Sequence, residues 1–562
     1  MQQIIECVPN FSEGRDLELI RRITDAAAHV DGVALLDVDP GKATNRTVVT
    51  FAGEPEAVVE AAVQAARVAA ELIDMRQHRG EHPRFGALDV CPLVPVSGIT
   101  MDETVEWARK LAQRLGDEVG LTVFCYENAA LSESRRNLAT VRAGEYEGLE
   151  KKLAGSDWRP DFGPAEFNPR SGATAVSARD FLVAYNINLN TTSARRANAI
   201  AFDVRERGRV KRKGDPLTGE IVRDENGKPV YSPGSLEAVK AIGWYIEEYG
   251  IAQISMNLTD IEVTPVHVAF DEVRRSARAR GIRVTGSELV GLMPLRTMLE
   301  AGRFYLEKQQ RSAGIPDREI IKIAIKSLGL DDLKPFDPAQ KIIEYRLGAL
   351  LPEGPKLVRR TVVGFTEETA SESPAPGGGS VAAAVGALGA ALGTMVANLS
   401  AHKRGWDERW QEFSDCAARG KEIYEALLEL VDRDTEAFNA LITAQRLPKG
   451  SESERKHRDQ AVQEAARRAM EIPLEVMEKS LESMSLLMAM AESGNPASVS
   501  DAGVGALCAR AAVRGAYLNV EINSSGLEDQ KLAADLIARG KSFEEQAEKL
   551  ECEILAVVAD KL

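Results

Sequence analysis

The residues best suited to chemistry sit in one stretch, Gly80-Glu81-His82-Pro83-Arg84-Phe85-Gly86-Ala87-Leu88-Asp89. Histidine is the side chain that most readily exchanges protons near neutral pH. Pro83 has a fixed φ and biases His82 away from helix. Gly80 and Gly86 permit backbone to approach a ligand closely. A helix-to-strand loop built this way can hold an imidazole at a pocket edge; the bland alternative is a surface turn with an idle histidine. Asn10, Asp39, Lys42, Asn45 and Arg46 fall at nearby strand ends and could line the same pocket. Asp39 would orient or charge-stabilise His82 if the two meet.

Three further stretches combine polar groups with permissive backbone. Residues 162–174, FGPAEFNPRSGAT, carry enough Gly and Pro for a fixed irregular loop, which serves either a ligand or plain linkage. Pro374-Ala375-Pro376-Gly377-Gly378-Gly379-Ser380 precedes a helical pattern whose free N-terminal amides suit an anion. It lacks the Gly-Lys-Ser/Thr of a Walker loop. Asp432 and Asp434 lie in a helical run, where acids usually form a solvated face. The loop Gly494 to Asp501 ends in a cap, and Asn519 and Asn523 are one helical turn apart. No Ser/His/Asp triad and no metal-ligand spacing stands out.

Positioning these groups falls to two kinds of element. Strands are expected at 4–8, 33–38, 46–51, 88–96 and 121–126, and helices at 16–30, 54–73 and 102–115. The order β-α-β-β-α-β, then α-β, predicts helices on one face of a mixed sheet. A polar connection over 147–163 leads to a second unit of the same grammar. It holds a strand at 181–189, an N-cap cluster at Thr191-Thr192-Ser193 and a polar hairpin with its tip at 224–228. Helix 236–249, strand 251–258, helix 266–280 and strand 282–288 complete it. The last β-like run is 362–365, and from Thr366 onward long Ala/Glu/Leu/Arg-rich patterns predict a bundle. The fold class expected is therefore two α+β, mixed-sheet, ferredoxin-like subdomains followed by an all-α helical-bundle domain. The divisions are 1–178, 179–326, a proline-bearing linker at 327–360, and 361–562.

A chain of 562 residues allows roughly three or four domains. Its net charge of −15 argues against nonspecific nucleic-acid binding. The six scattered cysteines contain no Cys-x-x-Cys pair, which argues against zinc and against a disulfide framework. Met1 to Glu6 shows no signal peptide, so a reducing cytoplasm is expected. Val381 to Leu399 is uncharged for 19 residues, a membrane-spanning length. Its Ala and Gly content predicts a tightly packed buried helix instead.

Together these runs resemble the formimidoyltransferase-cyclodeaminase family over nearly the whole chain. Cys7 to Gly14, Gly80 to Gly86, Gly163 to Thr174, Asn186 to Leu189 and Thr285 to Gly291 resemble its formiminotransferase domain. Pro374 to Ser380, Asp434 to Phe438 and Asn495 to Asp501 resemble its cyclodeaminase domain. The resemblance implies a bifunctional folate enzyme of histidine degradation. One site would move a formimino group from N-formimino-L-glutamate to N5 of tetrahydrofolate, releasing glutamate. The other would close 5-formiminotetrahydrofolate to 5,10-methenyltetrahydrofolate and release ammonia. The alternative for the helical half is a methenyltetrahydrofolate cyclohydrolase-like or silent folate-binding domain.

The family also implies roles for residues. His82 falls on its catalytic histidine, and Gly163 to Gly172 on its folate-binding segment, which brings in Gly163, Pro164, Phe167, Asn168, Pro169, Ser171 and Gly172. Asn10 and Arg84 are expected substrate contacts beside them, as are Gly377, Gly378, Gly379 and Ser380 in the helical half. Asp434 falls on the cyclodeaminase aspartate, with Asp432 as the other candidate. The partners implied are the folate, carrying a polyglutamate tail that helps pass the intermediate, and further copies of the chain in an octameric ring. No metal, nucleic acid or membrane is expected. The polar segment Lys211 to Tyr231 is longer than the family pattern and reads as a surface hairpin.

Overall fold

The computed structural model describes residues 3–41, 45–80, 83–215, 218–350, 356–373 and 375–562. They divide into two compact units, Met1–Ala301 with Ile325–Pro352, and Gly302–Ala324 with Glu353–Leu562.

Alternating apolar residues build two sheets in the first unit. Strands β1 (Ile4–Cys7), β2 (Asn10–Phe11), β3 (Val33–Gly41), β4 (Arg46–Gly53), β5 (Leu88–Ser97), β6 (Thr122–Glu127) and β7 (Ala173–Ala178) form a mixed sheet. Its order is β3-β4-β1-β5-β7-β6, with β2 continuing the line of β1 between β4 and β5. β5, β7 and β6 run parallel. Helices α1 (Leu17–Ala28), α2 (Pro55–Leu72) and α3 (Met101–Glu118) share one core with Ile5, Phe51 and Leu93 through Ile23, Val59, Ala62 and Leu111. Asp16 starts α1 by accepting from the Glu18 and Leu19 amides, and a Thr100–Glu103 capping box starts α3.

The polar connection expected over 147–163 contains helix; α4 (Leu138–Val141) and α5 (Glu145–Leu153) lie before β7. β7 itself carries no large alternating residues. Ala173 to Ala178 is buried on both faces between β5 and β6, so small side chains suffice there.

The second sheet holds β8 (Val183–Leu189), then, past the short pairs described next, β13 (Val239–Ile246), β14 (Ile251–Leu258) and β15 (Val284–Val290). All pairings are antiparallel, in the order β13-β14-β8-β15, with α6 (Ala194–Val204) and α7 (Val266–Arg278) as crossovers. Ser193 caps α6 through the Arg196 amide. The expected polar hairpin is present as β9 (Arg209–Val210) with β12 (Tyr231–Ser232) and β10 (Arg212–Lys213) with β11 (Glu220–Ile221). The Asp224 amide donates to Lys228 O at 2.8 Å at its tip. The helix expected at 236–249 is strand β13. Val239, Ala241 and Gly243 face inward while Lys240, Ile242 and Trp244 face outward, a period of two that outweighs the helix-forming Ala, Glu and Lys. The four-strand connectivity β3-β4-β1-β5 of the first sheet recurs as β13-β14-β8-β15.

Helices α8 (Leu295–Lys308), α9 (Asp317–Leu328), α10 (Pro338–Lys341) and α11 (Ile343–Leu350) follow. The β-like run at 362–365 is instead the start of α12 (Val362–Thr369). Thr361 caps it through the Gly364 amide, and this local bond prevails over β-branched propensity. Helices α13 (Gly378–Ala401), α14 (Trp410–Gln445), α15 (Glu452–Ser493), α16 (Val499–Asn523) and α17 (Gln530–Lys561) enclose a core that includes Phe413, Leu427, Met477, Met484, Leu487 and Val513. Burial of each such side chain contributes roughly 1.5–3 kcal/mol. Among the described residues α13 is one helix long and apolar enough to cross a membrane, and 61% of that window is buried within the protein.

Candidate functional site

The first cluster is built where β2, β4 and the start of β5 meet. Asn10 donates from Nδ2 to Val8 O at 2.9 Å and accepts on Oδ1 from Arg46 Nε (2.9 Å) and Nη2 (2.7 Å). Arg46 Nη1 and Arg142 Nη2 both reach Asp89 Oδ2, at 2.9 and 2.8 Å, while the Phe85 amide donates to Asp89 Oδ1 at 3.0 Å. The Asp89 carboxylate is 1% exposed. Breaking one such buried pair costs roughly 3–5 kcal/mol. Asp89 therefore ties the backbone after position 84 to the sheet.

Arg84 is also held. Its Nη1 and Nη2 donate to Glu147 at 2.9 and 2.6 Å, and its Nε donates to His78 Nδ1 at 3.2 Å. His78 Nε2 then donates to Asn45 O at 2.7 Å, so both ring nitrogens are used and the ring is neutral. Burial lowers its pKa further. Arg79, Gly80, Arg84, Gly144, Glu145 and Glu147 line a cavity of about 440 Å³. His82 lies outside the described residues, as do Lys42 and Pro374. Asp39 stands exposed on β3 opposite Val48, and its carboxylate takes no hydrogen bond among the described residues.

The 163–172 segment is locked against the histidine loop. Ala87 N donates to Ser171 O (2.8 Å), Ala173 N donates to Phe85 O (3.0 Å), and Gly86 pairs with Gly172. Asn168 Oδ1 accepts from the Arg170 and Ser171 amides, Pro169 O accepts from Tyr146 Oη, and Thr122 donates to Pro164 O. Phe167 packs on Tyr146 with ring centroids 5.7 Å apart. Gly163 and Gly172 both have positive φ, +75° and +66°. The Ser171 hydroxyl is buried without a partner among the described residues. A Cβ at Gly172 would stand 2.2 Å from Phe85 O. Gly172→Ala should cost roughly 2–4 kcal/mol, left-handed strain adding to overpacking. Urea unfolding should show it, and activity of the first unit should fall more than that of the second.

In the helical unit, Gly377 to Ser380 open α13, and their amides are the orphan donors of a helix start. Asp434, on α14, meets that turn. Ser380 Oγ donates to Asp434 Oδ2 at 2.9 Å, and Thr435 Oγ1 lies 3.1 Å from Ser380 Oγ, placed to donate to it. A Cβ at Gly379 would stand 2.2 Å from Asp434 Oδ1, so only glycine leaves the carboxylate its place. Burial raises the Asp434 carboxyl above its ordinary 3.8, with the Ser380 hydrogen bonds pulling the other way. Asp432 points elsewhere and accepts from the Leu357 amide at 2.6 Å and the Val358 amide at 3.4 Å. Asp432 thus fastens backbone, while Asp434 sits at a cluster of donors with a carboxyl that burial inclines to hold its proton.

The structure also brings in His78, Arg142 and Glu147, which sequence reasoning passed over, and gives partners to Asp89 and Thr435, which stood in the quoted runs without a role. Each acts through a partner distant in the chain, and only the Asp-Thr pair at 434–435 carried a local signal. No group of three or more His, Cys, Asp or Glu is placed to hold a metal among the described residues.

Comparison with known proteins covers both clusters. Residues 4–179 match "Formiminotransferase domain, N-terminal subdomain", residues 184–348 "Formiminotransferase domain" and residues 361–542 "Formiminotransferase-cyclodeaminase". The chain is 44% identical over 532 residues to the formimidoyltransferase-cyclodeaminase of Rattus norvegicus, covering 94% of each. It is 39% identical to the glutamate formimidoyltransferase of Streptococcus pyogenes over 55% of this chain and 94% of that one. A methenyltetrahydrofolate cyclohydrolase of Methylorubrum extorquens is 35% identical over 36% of this chain and 97% of its own.

Proposed function

The chain belongs to the formimidoyltransferase-cyclodeaminase family, and we propose that its two halves run consecutive steps of folate chemistry. It is a bifunctional enzyme of histidine degradation. The formimino group of N-formimino-L-glutamate passes to tetrahydrofolate with release of glutamate, and 5-formiminotetrahydrofolate then closes to 5,10-methenyltetrahydrofolate with loss of ammonia. The observation that carries this is a match spanning both catalytic halves of a named relative.

In our reading His82 is the proton carrier of the transfer. It takes the proton from N5 as N5 bonds the formimino carbon, and returns one to the glutamate nitrogen as that C–N bond breaks. Gly163 to Gly172 receive the folate. Asn10 and Arg84, fixed by Arg46 and His78, set the walls of the substrate pocket. Asp39 supports charge near it. In the helical half, N10 attacks the formimino carbon, and Asp434 accepts the N10 proton and delivers one to the departing ammonia. The Gly377 to Ser380 turn holds the substrate against it.

The repeated strand order supports two ferredoxin-like cores, assigned to 1–178 and 179–326, with the cyclodeaminase in 361–562 and a linker at 327–360. We further propose a polyglutamylated folate, no metal, a cytoplasmic location and a homo-octamer. Leu388, Met395 and Leu399 on α13 and Val504, Leu507, Leu518 and Ile522 on α16 expose apolar surface that supports self-association. Light scattering should find a large oligomer, and a monomer at assay concentration would overturn that part.

The functional test mixes the protein with formiminoglutamate and tetrahydrofolate and follows methenyl absorbance, glutamate and ammonia. Equal rates of all three are expected. Hydrolysis of supplied 5,10-methenyltetrahydrofolate to a formyl product, with no ring closure of the formimino intermediate, would favour the cyclohydrolase-like alternative for the helical half, and neither reaction a silent one.

A further inference from the structure

Two consecutive glycines of α13 face two different side chains. Gly379 faces the Asp434 carboxylate, and Gly378 faces the amide of Asn519 on α16. A Cβ at Gly378 would stand 3.3 Å from Asn519 Nδ2 and 3.6 Å from Oδ1. The orientation of that amide is set by its own helix. Nδ2 donates to Gly515 O at 2.9 Å, and a carbonyl accepts but never donates, so the nitrogen must point there. Oδ1 is left with no hydrogen bond among the described residues. Asn523, one turn on, spends its Nδ2 on Ala469 O and so ties α16 to α15. The two asparagines therefore divide the work, one fastening helices and one presenting an acceptor.

We propose that Asn519 is a specificity-determining residue of ring closure, its Oδ1 accepting a hydrogen bond from the N–H of the N5 formimino group. This rests on the cyclodeaminase reading of the helical half. The formimino group differs from a formyl group at one position, =NH against =O. The first offers hydrogen to an acceptor and the second offers only lone pairs. A fixed amide oxygen welcomes the one and leaves the other facing a like dipole, which a site built around an N–H donor penalises. Once N10 has added to the carbon, that nitrogen regains a lone pair, and holding it by its hydrogen leaves the pair free for the proton that Asp434 delivers, so recognition and departure of ammonia use one geometry. The reaction balance is unchanged, since Asn519 neither gains nor loses a proton.

The test uses the full-length protein supplied with 5-formiminotetrahydrofolate, and 5-formyltetrahydrofolate as competing probe. Asn519→Ala should raise KM for the formimino substrate roughly ten- to a hundredfold, the value of one hydrogen bond to a charged amidine. Its inhibition constant for the formyl probe should stay level or fall. Gly378→Ala presses a methyl group on the same amide from the opposite helix and should shift the same ratio without altering Asn519. Urea unfolding of each variant, and its residual ring closure at saturating substrate, report whether the helical unit still folds. If formimino KM and formyl inhibition move in proportion in both variants, or neither moves, Asn519 has no part in selection. If the unaltered protein closes no ring at all, it is the cyclodeaminase reading that fails.

Discussion

Asp434→Asn should abolish ring closure and leave formimino transfer intact. The expected loss is roughly a hundred- to ten-thousand-fold in kcat, the range for a positioned acid–base group. Asparagine keeps the shape and can still bond Ser380, so a loss measured with supplied 5-formiminotetrahydrofolate reads the proton and not the packing. Stability should move the opposite way. Burial places the folded carboxyl above 3.8, so the folded state binds this proton more tightly than the unfolded chain does. Ionisation is then a cost borne by the folded state, absent below 3.8, growing from there up to the folded value and constant above it. The asparagine variant escapes that cost. Its urea midpoint should exceed that of the unaltered protein at neutral pH, and the difference should vanish in acid. A variant that retained ring closure would move the role to another group, and Asp432→Asn is the direct comparison. Asp432 holds the Leu357 and Val358 amides, so its replacement should destabilise the helical unit.

His82→Ala should remove transfer by a comparable factor and leave ring closure of supplied intermediate unchanged. Gly80 and Arg84, two residues either side of it in sequence, both line the same cavity of about 440 Å³, a size suited to a small-molecule site. The neighbouring imidazole cannot stand in. His78 uses Nε2 on Asn45 and Nδ1 on Arg84, and burial disfavours its charged form. Added imidazole should restore part of the rate if proton transfer is what was lost. Loss of both activities in a folded variant would defeat the division of labour between the halves.

Much of this architecture was legible where local rules sufficed. Asp16, Thr100 and Ser193 announce their helices because a cap needs only the next three residues. Misreadings came where neighbours decide. Residues 236–249 hold Ala, Glu and Lys that favour helix in isolation, yet eight of them pair with β14. β7 was hidden because a strand buried on both faces between two others needs no large side chains. Within the candidate sites, the choice between Asp432 and Asp434 turned on contacts 54 and 75 positions away in sequence. His78 could not be read at all, since its meaning lies in the Asn45 carbonyl and the Arg84 guanidinium.

The crossing of the chain between units bears on how such a gene can be divided. Residues 302–324 pack with the helices, although the residues before and after them belong to the other unit. Lys421 is 5% exposed and its ammonium pairs with Asp317, and Gly314 admits no side chain against Ala417. A helical fragment begun at 361 would take Asp317 from that buried ammonium and leave it Glu425 alone, at 3.5 Å, so it should be less stable than the same helices in the full chain. The reading frame thus separates cleanly where the folded matter does not. A division of the gene that followed the folded matter would carry residues 302–324 with the helices.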